Sequence, residues 1–320
     1  MNAPTSRSVT RLLIDNKAFL ALALLVAVSA GMSDNFLTLD NMLNVLRQTS
    51  INAIIAMGVT FVILTAGIDL SVGAVLALTG AFAASMTASG LAPWLSVPGT
   101  VAAGAALGAI SGLFVAYGRV QAFIVTLVAM TILRGVALVY TDGRPISIGA
   151  SDAADIFWQL GGGYWFGVPI PIYLMFFVFV LCWSVLHHTR FGRHVYAVGG
   201  GEKVARLSGI NVNRIKISVY AISGACAALA GVVLTARLGS AQPTAGTGYE
   251  LDAIAAVVIG GTSLMGGRGR IFGTLIGALV IGVLNNALNI MGVSSYFQMI
   301  AKGAVILLAV LIDSRSKPST

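Results

Sequence analysis

Polar and charged side chains inside long apolar runs are the residues of this sequence that could do chemistry. Asp69, Arg134, Glu250 and Lys302 lie within such runs or at their ends. A charge inside a bilayer is costly, so it faces a protein interior or a water-filled path, or it extends to the interface. The three histidines lie together in one basic segment, so no apolar run holds a serine–histidine catalytic set. These residues favour contact with a polar solute over bond making.

Two apolar runs are interrupted by glycines and lie in or after segments with an acidic residue. The first is Thr65–Gly73, which contains Asp69 and Ser71, and the second is Ile259–Ser263, which follows Glu250. Helix breaks at matching positions in two halves of a membrane protein indicate a transport pathway. Asp69 has two interpretations: it is a helix N-cap whose carboxylate accepts backbone N–H bonds, or it contacts the solute. On the second interpretation, Ser71 and Glu250 join it in the pathway.

Arg134, Lys302 and a pair of asparagines also allow two interpretations each. The two cations lie near one end of their apolar runs, so they either extend to the interface or line a polar cavity. Asn285 and Asn289 are four residues apart and share a helix face. They either form hydrogen bonds between helices or contact a polar solute in transit.

The elements that must position these residues are membrane-spanning helices. The chain has 320 residues, of which 57% are hydrophobic and 9% charged, whereas soluble domains carry about 25% charged residues. We therefore predict an all-α polytopic membrane protein of about ten transmembrane helices. Residues 1–17 form a cytoplasmic segment, 18–312 a single transmembrane domain and 313–320 a cytoplasmic tail. A helix that crosses a bilayer needs roughly 20 apolar residues, which places spans near 18–33, 51–66, 72–89, 97–117, 122–140, 169–187, 215–236, 252–265, 271–289 and 296–312.

The distribution of charge predicts the orientation of these spans. With a cytoplasmic N-terminus, most of the 19 Lys and Arg residues lie in segments placed inside, and most of the acids lie in segments placed outside. Cytoplasmic loops of membrane proteins carry an excess of Lys and Arg. Both termini are therefore predicted to be cytoplasmic. The basic residues cluster in loops between spans, so the net charge of +8 does not indicate a nucleic-acid partner.

A basic segment at residues 188–214 is predicted to lie in the cytoplasm. Together with its flanks, from His187 to Lys216, it contains six Lys or Arg residues. Glycines, an acid and a later Gly209 predict a loop over 199–201, a short helix over 202–207 and a stop. The segment is either a solvated loop or a docking element for a cytoplasmic partner. In the second case the contact residues are Gly199, Gly200, Glu202, Lys203, Arg206, Leu207 and Gly209.

Short matches relate the two halves of the chain. Gly67–Leu70 is echoed by Gly248–Leu251, and two further matches follow in the same order. They relate spans 2–5 to spans 7–10. Because the offset is five spans, the second copy is inverted, as in many transporters.

Several motifs resemble the permease subunits of bacterial sugar importers of the ABC class, and those of the ribose type most of all. They are Ile63–Gly73, Ala205–Val212 and Gly246–Val258, and the resemblance runs from about Asn35 to Asp313. It implies a transport subunit rather than an enzyme, in the bacterial inner membrane, that passes a monosaccharide, with ribose favoured. It also implies a fold like that of the vitamin B12 importer permease.

The resemblance further implies three protein partners. They are a second permease copy, a periplasmic sugar-binding protein and a cytoplasmic ATPase that binds ATP and magnesium. The chain lacks the G-x-x-x-x-G-K-[ST] motif of phosphate-binding loops, so no cofactor is expected in it. No metal site is expected either. In this family the segment before the seventh span carries the coupling helix, which maps onto Gly199–Gly209. The alternative is a secondary transporter driven by an ion gradient, with Asp69 as the ion site.

Overall fold

The computed structural model describes residues 17–118 and 120–315, which fold almost entirely into helices. The predicted N-terminal segment 1–17 and the tail 313–320 lie largely outside that range. The described residues form thirteen helices: α1 Lys17–Met32, α2 Leu39–Leu64, α3 Val72–Ala88, α4 Pro93–Tyr117, α5 Ala122–Tyr140, α6 Asp152–Gly162, α7 Ile170–His188, α8 Arg190–Gly200, α9 Glu202–Leu207, α10 Val212–Leu238, α11 Tyr249–Ile259, α12 Ile271–Ile290 and α13 Ser295–Arg315.

Within residues 17–118 and 120–315, six helices are long and apolar enough to cross a membrane. Each of the ten predicted spans overlaps a helix. The six are α2, α4, α5, α7, α10 and α12. Residues 18–32 and 72–88 form shorter apolar helices, and α11 has only eleven residues. The prediction of a mostly helical, polytopic membrane protein is therefore confirmed, while the number of ten spans is not.

The second predicted span is wrong at its start. We placed it at 51–66, whereas α2 begins at Leu39. The first twelve residues of α2 include Asn41, Asn44, Arg47 and Gln48, which lower the local hydropathy. Protein neighbours rather than lipid surround much of this stretch, so a lipid-facing hydropathy criterion excludes it.

The segment between α5 and α7 contains more regular structure than a loop. Helix α6 starts at Ser151, whose hydroxyl accepts a bond from Ala154 N, and it buries Phe157. Two short antiparallel pairs flank it: β1 Ile146–Ser147 with β4 Ser240–Ala241, and β2 Tyr164–Trp165 with β3 Val168–Pro169. The first pair fixes this segment to the chain that follows α10.

The core of the bundle is built around α2 and α10. Every residue of α2 from Ala53 to Leu64 is buried. Helix α10 packs against α2, α3, α4 and α6. At the α4 contact, a Cβ on Gly104 or Gly108 would overlap the backbone of α10 at Gly224 or Tyr220. Glycines spaced four apart in α4 therefore permit close approach of the two helices.

Helices α2–α5 correspond one to one, in order, to helices α10–α13. The main contacts between these helices have counterparts when each helix is replaced by its equivalent in the other set. Helix α10 packs on α4 as α2 packs on α12, and α10 packs on α3 as α2 packs on α11. The contact of α3 with α5 likewise has a counterpart in that of α11 with α13. An internal repeat produces such a pattern, and the matched sets are the ones indicated by the sequence echoes.

Candidate functional site

A cavity of about 320 Å³ lies where α2 and α12 meet the ends of α10, α11 and α13. Its volume falls at the lower end of the range of about 300–1,000 Å³ for small-molecule sites. Most of its wall is polar. The polar side chains that line it are Gln48, Thr49, Asn52, Arg237, Tyr249, Asp252, Asn285, Asn289, Gln298 and Lys302.

Helix ends position the charged members of this wall. Asp252 lies in the first turn of α11, and Arg237 lies in the last turn of α10. The positive end of a helix dipole stabilises an acid, and the negative end stabilises a base. Both charges therefore occupy the helix ends that favour them, and both end up at the same cavity.

Asp252 and Lys302 form an ion pair that joins α11 to α13. The Asp252 Oδ2 to Lys302 Nζ distance is 3.0 Å, and the two side chains are 7% and 26% exposed. Asn52 Nδ2 lies 3.5 Å from the same carboxylate oxygen, so it adds a long hydrogen bond from α2. A buried charge requires such partners, because removal of one partner strands the other in a medium of low polarity.

Three polar atoms of the wall have no hydrogen-bond partner among residues 17–118 and 120–315. They are Thr49 Oγ1, Asn52 Oδ1 and Asn285 Oδ1, and all three are buried. Such groups are rare in native proteins. Their residues line the cavity, but the oxygens themselves are buried. Thr49 Oγ1, for example, packs against Gly282 of α12, where an added Cβ would overlap it.

Two asparagines of α12 form hydrogen bonds between helices. Asn289 Oδ1 accepts a bond from Gln298 Nε2 at 2.8 Å, which links α12 to α13. The neighbouring Asn286 exchanges two bonds with Asn41 of α2, at 2.8 and 3.0 Å. Helix-to-helix bonding therefore involves Asn286 and Asn289, while Asn285 is left facing the cavity wall.

Asp69 lies outside the cavity, and it is not the N-cap residue of α3. Its Oδ1 accepts bonds from Ser71 N at 3.0 Å and Ser71 Oγ at 2.6 Å. Its Oδ2 accepts a bond from Ser223 Oγ of α10 at 2.7 Å. The N-cap position is occupied by Ser71. Asp69 therefore ties the broken segment before α3 to α10, and its predicted capping position is wrong by two residues.

Glu250 and Arg134 also lie away from the cavity wall. Glu250 Oε1 accepts a bond from Gly248 N at 3.1 Å at the start of α11. Arg134 Nη1 donates to the carbonyl oxygens of Pro243 and Ala245, each at 2.8 Å. Arg134 thus neither lines the cavity nor extends freely to an interface. It holds the segment between α10 and α11 in place.

Most of the wall was not predicted, and the missed residues include Asn52, Arg237 and Asp252. The two charges lie at the ends of apolar runs, where they resemble ordinary interfacial residues. Gln48 and Asn52 are four apart and share a face of α2. That spacing was the available signal, and the late start of the predicted second span concealed it.

The basic segment 188–214 is mostly helical, and its predicted glycine loop is wrong. Gly199 and Gly200 are the last residues of α8. A Cβ on Gly199 would overlap the carbonyl oxygen of Leu64, whereas one on Gly200 would meet open space. Only Gly201 separates α8 from α9. The first glycine is thus a packing contact, and the short helix itself is confirmed over Glu202–Leu207.

Helix α9 is held to α10 by Glu202. Its carboxylate accepts bonds from Lys216 Nζ at 2.7 Å and Arg206 Nη2 at 3.1 Å. The hydrogen bond from Lys216 lowers the pKa of Glu202 below its usual value. After α9, Gly209 has a φ of +83°, and Ile210 N bonds to Ala205 O at 3.1 Å. This closes the helix as predicted.

One face of α9 is apolar and exposed. Leu207 is 89% exposed and Val204 68% exposed, while Ala205 is buried. Lys203 on the same helix is exposed as well. A short helix that is anchored through its acid and exposes two aliphatic side chains is typical of a contact surface.

Helix α8 contacts the glycine-rich segment that follows α11. Tyr196 Oη donates to Gly269 O at 2.8 Å, and Gly267 N donates to Leu64 O at 2.9 Å. The end of α2, the end of α8 and residues 260–270 therefore meet at one end of the bundle. The cavity lies about halfway along α2, at residues 48–52.

Comparisons with known proteins agree with this architecture. Residues 41–310 match the family model described as branched-chain amino acid transport system / permease component. The chain is 59% identical to the ribose import permease protein of Haemophilus influenzae, over 98% of this chain and 97% of that protein. It is 58% identical to the Escherichia coli K12 protein of that name, over 95% of each. The Bacillus subtilis protein of that name is 54% identical, over 93% of this chain and 92% of that protein. No solved structure gives a significant match. The chain therefore belongs to this family of transport permease components.

Proposed function

We propose that this chain is the membrane permease of an ABC importer for ribose. The observation that carries the proposal is 54–59% identity to ribose import permeases over nearly the whole chain. It is supported by the six apolar helices and by a polar cavity of the size that a single small solute needs. The chain is then a transport subunit in the bacterial inner membrane, and its substrate leaves it chemically unchanged.

The energy for uptake comes from a partner ATPase that binds ATP and magnesium. We place its docking surface on α9, where Val204 and Leu207 are exposed. In this arrangement α9 is the coupling helix, and Gly199 and Gly200 support it through α8. Lys203 and Arg206 supply charge at the rim, and Gly209 ends the contact.

The outer partners belong to the opposite end of the bundle. A periplasmic binding protein delivers the sugar near the cavity, and a second copy of the permease completes the pathway. This requires α9 and both termini to be cytoplasmic, as the charge distribution predicts. It also requires ten crossing segments in two inverted sets, with α11 and its glycine-rich extension as one of them. The repeat in helix contacts supports this arrangement and a likeness to the vitamin B12 importer permease.

We further propose that the pathway passes through the cavity. Asn285, Asn289 and Lys302 contact the solute there. Asp69, Ser71, Glu250 and Arg134 act indirectly, because their side chains bond to the broken segments that precede α3 and α11. They are positioning residues for the walls of the pathway.

The secondary transporter is less well supported. Its ion site was expected at Asp69, yet that carboxylate is buried and accepts bonds from three donors of Ser71 and Ser223. An ion that moves through the protein needs access to such a site from both sides in turn.

Reconstitution separates the two mechanisms. We expect proteoliposomes that contain the permease and its ATPase to take up D-ribose only with enclosed ATP and the external binding protein. An ATPase variant that binds but does not hydrolyse ATP is the matched control. Uptake that follows a proton or sodium gradient without ATP would refute the proposal.

A further inference from the structure

The charges at the cavity wall do not balance. In the described part of the chain the wall carries one acid, Asp252, and two bases, Arg237 and Lys302. Lys302 pairs with Asp252 at 3.0 Å, and Arg237 takes part in none of the ion pairs found among residues 17–118 and 120–315. Arg237 is only partly buried, so its positive charge acts on the space inside the cavity.

A second arginine adds to this positive charge. Arg47 of α2 lies near Arg237, so the two charges repel each other. Its Nη1 donates to Tyr164 Oη at 3.4 Å, and its Nη2 donates to Asn44 Oδ1 at 3.3 Å. Both acceptors are neutral, and Arg47 likewise forms no ion pair with a described residue. Two uncompensated charges of the same sign therefore lie together, one in the wall of the cavity and one behind it.

Such charges discriminate between solutes by their net charge. A fixed cation that lines a polar pore raises the energy of any other cation that enters. At roughly 10 Å and an effective dielectric constant of about 20, one unit charge lowers the occupancy of a monovalent cation roughly tenfold. A neutral solute carries no net charge for this field to repel. The two arginines therefore oppose the passage of cations and leave a neutral solute free to pass.

We propose that Arg237, together with Arg47, forms an electrostatic barrier that keeps protons and metal cations out of the translocation pathway. The inference rests on the proposed function, and in particular on a pathway that passes through the cavity. It adds a task that the substrate itself does not impose. An importer that opens a polar path across a bilayer would otherwise dissipate the ion gradients of its own membrane. Arg237 is thus a specificity-determining residue that acts against ions.

Ion leak through the reconstituted importer tests this barrier. Proteoliposomes that hold the complete importer receive ATP and loaded binding protein, and the fluxes of potassium and chloride are measured separately. Arg237→Gln should raise the potassium flux about tenfold, while Arg237→Lys, which keeps the charge, should stay near the parent. Arg47→Gln should raise it less, because Arg47 lies behind the wall. Arg214→Gln is the matched control, since it removes the same charge from an exposed position in the first turn of α10; it should leave the flux unchanged.

The chloride flux separates a lost barrier from a damaged structure. Loosened helix packing would raise both fluxes, whereas loss of a positive charge should raise the potassium flux and leave the chloride flux unchanged or lower. A potassium flux equal to that of the parent in both Arg237→Gln and Arg47→Gln would refute the barrier. A parallel rise of both ions in Arg237→Gln would refute it as well. Uptake of D-ribose by the parent is measured in the same vesicles, and its absence would refute the proposed function whatever the leak.

Discussion

Leu207 is the residue whose replacement tests the docking of an ATPase most directly. Its side chain is 89% exposed on α9, so nearly all of its apolar surface remains available to a partner. Full burial of a leucine side chain contributes about 1.5–3 kcal/mol. Leu207→Ala should reduce the free energy of binding between the ATPase and the permease by about 2 kcal/mol, which corresponds to a roughly 30-fold weaker complex. Because alanine has the highest helix propensity, α9 itself should persist.

The measurement is a titration of labelled ATPase onto the permease in lipid nanodiscs. Leu238→Ala is the matched control, since Leu238 is 51% exposed at the far end of α10. It should bind the ATPase with unchanged affinity, and both variants should melt at the temperature of the parent. An unchanged dissociation constant for Leu207→Ala would refute the placement of the coupling contact on α9. Arg206→Glu is a weaker test, because Arg206 already pairs with Glu202 within the chain.

Three further predictions concern packing, positioning and orientation. Gly199→Ala should lower the free energy of unfolding by about 1–3 kcal/mol through overpacking. Gly200→Ala, whose added methyl group meets open space, should be neutral or slightly stabilising. Equal effects of the two variants on thermal unfolding would contradict this difference in packing. Arg134→Met removes a charged donor from two carbonyls, so it should lower the free energy of unfolding by about 2 kcal/mol and slow uptake. Arg134→Lys should retain part of the stability and part of the uptake rate. Uptake at the parent rate in Arg134→Met would contradict the positioning role. In intact cells an impermeant thiol reagent should modify Asp152→Cys and spare Lys203→Cys, and modification of the latter would reverse the proposed orientation.

Hydropathy was sufficient to predict the class of fold and most of the helices. Lipid-facing helices such as α5 and α7 expose long rows of apolar side chains, and a scan for apolar runs finds them because lipid imposes that composition. The same criterion fails at the start of α2, where the polar residues contact protein and the cavity. A helix that is surrounded by protein does not need an apolar surface, and a scan for apolar runs therefore misses it.

The candidate site was only half accessible from the sequence. Asn285 and Lys302 were identified because a polar residue within an apolar run is conspicuous. Asp252 and Arg237 were missed since they lie at helix ends, where charges are ordinary. Conversely, Asp69 is conspicuous, yet its bonds are all made within the fold. Sequence reveals that a polar group needs a partner, but only the packing of distant helices reveals whether that partner is protein or ligand.

The shortness of α11 has a consequence for how the protein is made. Eleven residues span about 16 Å, about half of the 30 Å hydrocarbon core, and two of them are the acids Glu250 and Asp252. Such a segment is a poor substrate for the insertion machinery, which selects long apolar helices. We therefore expect the flanking helices α10 and α12 to enter the bilayer first, and α11 to follow as they pack together. A substitution that weakens the contact of α11 with α2 or α12 would then appear as premature degradation of a half-inserted chain, before any defect in uptake could be measured.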